Sequence, residues 1–196
     1  MSIIIGLTGP TGSGKSSACS LCENYGLKHV DCDLLARKAV EKGSAGLKAL
    51  VDAFGSEILN SDGTLNRKLL AKIAFSDRTK TELLNATIFP FIRALVLEET
   101  KSGNILLDAP TLFESKIDNI CTTTIAVLSD KDIRVKRIIA RDNLTESQAL
   151  TRISAGKTDN FYKTYANYVV YNNKTEEEFL KEFSSVLESI LKGENL

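Results

Sequence analysis

Gly9-Pro10-Thr11-Gly12-Ser13-Gly14-Lys15-Ser16 sets glycines, a lysine and a hydroxyl in the order G-x-x-x-x-G-K-[ST]. With a strand before it and a helix after it, that spacing is a phosphate-binding loop. A polyphosphate needs several donors converging at short range. Glycines let the backbone wrap so that successive N–H groups point inward, and a helix N-terminus adds partial positive charge. The backbone of Gly12, Ser13 and Gly14 would cradle the phosphates of a nucleotide. Lys15 would reach the β and γ groups, and the Ser16 hydroxyl would hold Mg²⁺. The competing reading is a Gly-rich turn ahead of a helix.

Three aspartates extend this chemistry. Asp108 closes the apolar run Ile105-Leu106-Leu107, as the acidic residue of a Walker B element does. Such a carboxylate meets the metal directly or through water. Asp31 and Asp33 flank Cys32 at the end of a second apolar stretch, and on a strand they share a face. Asp33 could take a proton from an acceptor hydroxyl or orient it for in-line attack. It could equally cap a helix beginning at Leu34. Cys19 and Cys22 form a C-x-x-C, which invites a redox or zinc reading. They fall inside an expected helix, however, and there is no second C-x-x-C. His29 is the only other soft ligand nearby, so a buried structural role is the simpler one.

Chemistry at these positions needs elements to hold them. Residues 3–8 form a nearly continuous apolar run, as in a strand covered on both faces. Residues 16–25 read as a helix, and residues 27–31, 104–108, 123–128 and 168–171 as further strands. Strands separated by helices make an α/β fold, a parallel sheet with helices on both faces. Between the second and third strands, residues 33–102 keep a helical period. The stripes are Leu34, Leu35 and Ala39, then Leu47, Leu50, Val51 and Phe54, then Leu69, Leu70, Ile73 and Ala74. Ser61-Asp62-Gly63-Thr64 marks a turn among them. Ser129 with Asp132, Thr145 with Gln148, and Thr175 with Glu178 have capping-box or similar spacing at helix starts.

With 196 residues there is room for one domain carrying insertions. Lys and Arg number 25, as do Asp and Glu, so the formal net charge is zero. That balance argues against broad electrostatic binding to nucleic acid or an anionic membrane. The first residues lack the pattern of a signal peptide, and no run of apolar residues is long enough to span a bilayer. Four cysteines without an export signal are expected to be reduced thiols in the cytoplasm. The single histidine excludes a site built from several.

A longer set of residues is collinear with a known pattern. Gly6-Leu7-Thr8-Gly9 leads into the loop; Asp31-Cys32-Asp33 with Ala36-Arg37 follows, then Leu65-Asn66-Arg67. Asp108-Ala109-Pro110-Thr111-Leu112-Phe113-Glu114, Arg137 with Arg141, Arg152-Ile153 and Asn172 complete it. Over nearly the whole chain this resembles the dephospho-coenzyme A kinase family. The resemblance implies ATP- and Mg²⁺-dependent phosphorylation of the ribose 3′-hydroxyl of dephospho-coenzyme A, a small-molecule partner. It implies a P-loop kinase fold: a five-stranded parallel sheet in the order 2-3-1-4-5, a helical acceptor-binding insertion over residues 33–102, and a lid over about residues 143–157.

The same resemblance assigns Lys15, Asp33 and Arg141 to catalysis. It gives Gly12, Ser13, Gly14, Lys15, Ser16, Ser17, Arg137, Arg141 and Asn172 to the nucleotide. Thr8, Asp33, Asn66, Arg67, Pro110, Leu112, Phe113 and Glu114 go to the acceptor, and Ser16 and Asp108 to the metal. Arg137 and Arg141, four apart on one helix face, would stabilise charge on the transferring phosphoryl group; a solvated basic face is the alternative. The chain departs from the family pattern at Pro10-Thr11, usually Gly-Ile, at Thr111, usually leucine, and at Phe89, usually histidine. Arg134 and Gly156 stand where the family tends to have glutamine, and Asn167 where it has aspartate. None of these removes Lys15, Ser16, Asp33 or Asp108. Two other functions fit a P-loop: another nucleoside or nucleotide kinase, and a nucleotide-binding protein without turnover. Asn66-Arg67 and Leu112-Phe113-Glu114 weigh against the first, and Asp33 against the second.

Overall fold

Five short runs of β-favouring residues pair side by side in a computed structural model of the chain, which describes residues 2–193. They are β1 (Ile4–Thr8), β2 (Lys28–Asp31), β3 (Ile105–Asp108), β4 (Thr123–Leu128) and β5 (Tyr168–Tyr171). The sheet is parallel, in the order β2-β3-β1-β4-β5, so the first strand is central. Leu7 stands opposite Asp108 and Thr8 opposite Ala126, which puts Asp108 at the carboxyl edge beside the strand that feeds the phosphate loop. The helices are α1 (Lys15–Cys19), α2 (Cys32–Ala39), α3 (Ala45–Phe54), α4 (Arg67–Ala74), α5 (Arg78–Glu99), α6 (Lys131–Asp142), α7 (Glu146–Ser154), α8 (Asp159–Tyr165) and α9 (Glu176–Lys192).

The chain divides into two compact units, Met1–Val30 with Gly103–Leu196, and Asp31–Ser102. In the first unit, successive residues of β4 face opposite ways, as a strand requires. Ile125 and Val127 join Ile5, Leu7 and Leu106 on one face, where Phe179, Phe183 and Leu187 of α9 cover them. Those three recur every fourth residue, a single apolar stripe. Ala126 and Leu128 face the other way, against Tyr162 of α8. Val135 and Ile138 of α6 pack on Ala149 of α7.

In the second unit α5 is the long element, burying Ile88, Ile92 and Val96, with α2, α3 and α4 packed on it. Side chains satisfy its helix starts: Ser44 accepts from the Leu47 N–H, Asn66 from Leu69 and Asp77 from Lys80. The turn at Ser61-Asp62-Gly63-Thr64 forms as expected, with Asp62 Oδ1 accepting from the Thr64 N–H at 2.9 Å.

Three local expectations are corrected. The helix expected over residues 16–25 stops at Cys19, and Cys22–Tyr25 form a 3-10 turn. The Ser20 hydroxyl donates to the Ser17 carbonyl at 2.7 Å, a local bond that competes with the helical ladder. Asp33 is neither on the strand nor the cap of α2. The cap is Asp31, whose Oδ1 accepts from the N–H groups of Asp33 at 2.7 Å and Leu34 at 3.2 Å. Ser129 does not cap a helix either. Its Oγ donates to the Asn172 carbonyl at 2.8 Å, tying together the ends of β4 and β5, and Asp130 takes the cap position. The capping boxes at Thr145–Gln148 and Thr175–Glu178 are both present.

Candidate active site

The loop between β1 and α1 wraps as its glycines allow. Gly14 has φ 92°, and a Cβ there would collide with the Asn172 carboxamide nitrogen. Only glycine meets both demands. The loop's carbonyls are held from behind by three side chains. Thr11 O accepts from Arg134 Nε at 3.0 Å, and Gly12 O from Arg137 Nη1 at 3.5 Å. Ser13 O accepts from Arg137 Nη1 at 3.3 Å and from Asn172 Nδ2 at 3.0 Å.

In a trans peptide the carbonyl and the following N–H point in opposite directions. Anchoring the Thr11 and Ser13 carbonyls on α6 and Asn172 therefore aims the Gly12 and Gly14 N–H groups to the other side, where an anion would sit. The Ser13 N–H closes a turn onto the Pro10 carbonyl at 3.2 Å. With α1 only five residues long, the backbone donors and Lys15 matter more than a helix dipole.

Lys15 Nζ lies 3.3 Å from Asp108 Oδ1, with both side chains mostly buried. That oxygen has no aligned hydrogen bond, and Oδ2 accepts from the Cys19 thiol at 3.6 Å. Burial, then the charge of Asp108, pushes the Cys19 thiol well above its ordinary value; burial pushes Cys22 up to about 12. All four cysteines are free thiols. Ser16 is exposed in the first turn of α1. The hydroxyl of Ser17 donates to Glu176 Oε1 at 2.8 Å, and that of Thr8 to the Pro110 carbonyl at 3.4 Å. A buried carboxylate oxygen with an available lone pair and a serine hydroxyl are hard oxygen donors, the kind Mg²⁺ takes.

Beyond β3 the run Pro110 to Glu114 splits by burial. Leu112 is wholly buried against Gly6, so its side chain belongs to the core and is not offered to a ligand. Phe113 joins an aromatic cluster, 5.9 Å from the Phe161 ring and 5.7 Å from that of Tyr165. Glu114 Oε2 is buried without a hydrogen-bond partner. Burial, with the Glu114 charge adding to it, pushes the Tyr162 hydroxyl up to about 12.

On α6, Arg141 turns to Asp142, with Nε and Nη2 both 2.8 Å from its carboxylate, and Arg152 of α7 reaches the same group at 2.5 Å. Hydrogen bonding from Arg141 holds the Asp142 carboxyl below its ordinary value, and the Arg141 and Arg152 charges reinforce this. In the helical unit Asn66 spends its side-chain oxygen on capping α4, and Arg67 Nη2 lies 3.5 Å from the Arg37 carbonyl.

Arg134 was not expected in the site, only as a departure from the family pattern. It is 4% exposed, and its Nη1 pairs with Asp159 of α8 at 3.2 Å while Nε holds Thr11. Its burial pulls its pKa down, opposed by Asp159. The signal was the recurrence of arginine at 134, 137 and 141, an i, i+3, i+7 stripe that faces one way on a helix.

A central strand, a braced glycine loop ending in Gly-Lys-Ser, and an aspartate on the neighbouring strand define a P-loop kinase. The profile of one such family, dephospho-CoA kinase, matches residues 3–178, and the chain belongs to that family. A dephospho-CoA kinase of Listeria monocytogenes serovar 1/2a is 37% identical over 195 residues, covering 96% of this chain and 98% of that protein. One from Oryza sativa subsp. japonica is 35% identical, covering 95% of this chain and 84% of its own length. A crystal structure from Thermus thermophilus superposes with a TM-score of 0.78 at 31% identity, covering 98% of this chain and 97% of that one. The dephospho-CoA kinase from Campylobacter jejuni, at 24% identity and a TM-score of 0.69 over 97% of this chain and 98% of its own, shares the fold.

Proposed function

We propose that this chain moves the γ-phosphoryl group of ATP onto the ribose 3′-hydroxyl of dephospho-coenzyme A. The observation that carries the reading is the bracing of the Thr11, Gly12 and Ser13 carbonyls by Arg134, Arg137 and Asn172, which pre-aims backbone donors at a polyphosphate. Preorganised donors stabilise developing charge without reorganising during reaction. Lys15 leaves Asp108 for the β and γ phosphates. Ser16 and Asp108 then serve as oxygen ligands for Mg²⁺, which when bound offsets phosphate charge.

Asp33 accepts the proton of the attacking hydroxyl as the new O–P bond forms and the bond from Pγ to the β-phosphate oxygen breaks, releasing ADP. Arg141 exchanges Asp142 for the transferring group. Arg137 and Asn172 act on the nucleotide through the loop they hold. Arg67 meets the acceptor, Asn66 supports it by fixing the start of α4, and Thr8, Pro110, Phe113 and Glu114 complete the acceptor side. Four free thiols suit a reducing compartment, and the cytoplasm is where we place the reaction.

The test is ADP release from ATP and Mg²⁺ with dephospho-coenzyme A or adenosine as acceptor, with the product identified by chromatography. Dephospho-coenzyme A should give the higher kcat/KM, because its diphosphate and pantetheine arm contribute remote binding energy. Lys15→Ala should abolish turnover and leave the fold intact. A preference for adenosine, or a Lys15→Ala protein that turns over near the parent rate, overturns the reading.

A further inference from the structure

Cys19 of α1, His29 of β2 and Asp108 of β3 are far apart in sequence, yet one ligand atom from each falls within a common 4.8 Å. Cys19 Sγ is already 3.6 Å from Asp108 Oδ2. Around a tetrahedral ion with bonds of about 2.0–2.3 Å, ligand atoms stand roughly 3.3–3.8 Å apart. Small side-chain rotations therefore close the set. Cys19 is half-buried and His29 is exposed, so the cluster has an inner ligand and an open side for entry. Thiolate, imidazole and carboxylate together suit a borderline or soft divalent ion, and suit Mg²⁺ poorly.

We propose that Cys19, His29 and Asp108 form a three-ligand site for a thiophilic divalent cation such as Zn²⁺, with water in the fourth position, and that filling it inhibits phosphoryl transfer by withdrawing Asp108. Binding replaces the Cys19 S–H bond with a metal–sulfur bond, and the proton goes to solvent. The ligands then carry two negative charges against the two positive charges of the ion. The Lys15 ammonium, 3.3 Å from Asp108 Oδ1, repels a second cation, so the ion and the Lys15–Asp108 pair compete for one carboxylate. Cys22, the other half of the C-x-x-C, lies buried in the sheet core and takes no part. The inhibitory effect rests on the kinase reading; cation binding does not.

Titration of the whole chain with Co²⁺ reads the site directly through its thiolate charge-transfer band and four-coordinate visible bands. One equivalent should produce both, and Zn²⁺ should displace them. Cys19→Ser should abolish the charge-transfer band, and His29→Gln should weaken binding at least about tenfold. Cys121→Ser, at a thiol outside the cluster, should change neither. In the kinase assay at fixed Mg²⁺ and ATP, Zn²⁺ should inhibit the parent reversibly, with recovery on chelation, and should spare Cys19→Ser. No thiolate band, or a band that survives Cys19→Ser, overturns the site. Normal bands without Zn²⁺ inhibition of an active parent overturn the inhibitory role. A parent inactive in the absence of Zn²⁺ counts against the kinase reading and leaves the Co²⁺ result to judge the site.

Discussion

Arg137 and Asn172 hold each other and the same backbone carbonyl. Arg137 Nη2 donates to Asn172 Oδ1 at 2.9 Å, while Arg137 Nη1 and Asn172 Nδ2 both reach Ser13 O. A guanidinium fork can make these bonds together; an ammonium is a point charge that cannot. Arg137→Lys should keep the charge and lose the geometry. The expected result is ATP binding weaker by at least about tenfold, consistent with about 1.5–3 kcal/mol for a charge-assisted bond, with acceptor KM changed less. Calorimetric ATP titration checks it. Parent-like affinity would show that charge alone is needed.

Gly14→Ala should eliminate measurable ATP binding, because the new methyl meets Asn172 and the residue sits at φ 92°. Adding Asn172→Ala removes the collision but not the backbone cost of about 1–2 kcal/mol. The double variant should therefore remain impaired and be no worse than the sum of the singles. Full rescue would mean that the collision was the entire defect.

The assignment of the cap to Asp31 separates structure from catalysis at its neighbour. Asp31→Ala should cost about 1 kcal/mol, read as a melting point lower by about 2–4 °C. Asp33→Asn keeps the size of the side chain and should still bind ATP, yet lose at least about 100-fold in kcat if it serves as the base. An unchanged kcat in Asp33→Asn would remove that aspartate from the reaction.

Asp142, between Arg141 and Arg152, makes stability depend on pH in a defined direction. Its folded-state pKa lies below the ordinary 3.8, so its contribution is complete above that value and is lost as the pH falls through the depressed one. Asp142→Asn should lower the melting temperature at neutral pH, and the gap should close in acid. A gap that stays constant to low pH would mean the ion cluster contributes nothing.

The strands, the phosphate loop and Asp108 were legible because each is written locally: an apolar run, a glycine pattern, an acidic end; the order of the strands in the sheet came from the family resemblance alone. What holds the loop was not. Arg134 and Arg137 act on Thr11 and Ser13 from more than 120 positions away, and no short-range pattern records such a contact. The Asp31-Cys32-Asp33 segment misled for a related reason. A period of two describes it as a strand, while the first turn of α2, whose N–H groups need an acceptor, converts Asp31 into a cap. The C-x-x-C likewise divides where α1 stops, sending Cys22 into the core and Cys19 toward Asp108.

The central place of β1 sets the order in which the molecule can assemble. Ile4 pairs with Ile105 and Ile5 with Thr123, so β1 lacks its neighbour on one side until about 100 further residues have been made, and on the other until nearly 120 have. Asp31–Ser102, by comparison, form a compact unit of residues contiguous in sequence. Non-local pairings wait on loop closure, and domains tend to fold as units during synthesis. The helical unit is therefore expected to form first, while the strand that carries the phosphate loop waits for its neighbours. A chain released before β4 is made lacks one of the two strands that flank β1, and so the completed sheet on which the phosphate loop is built.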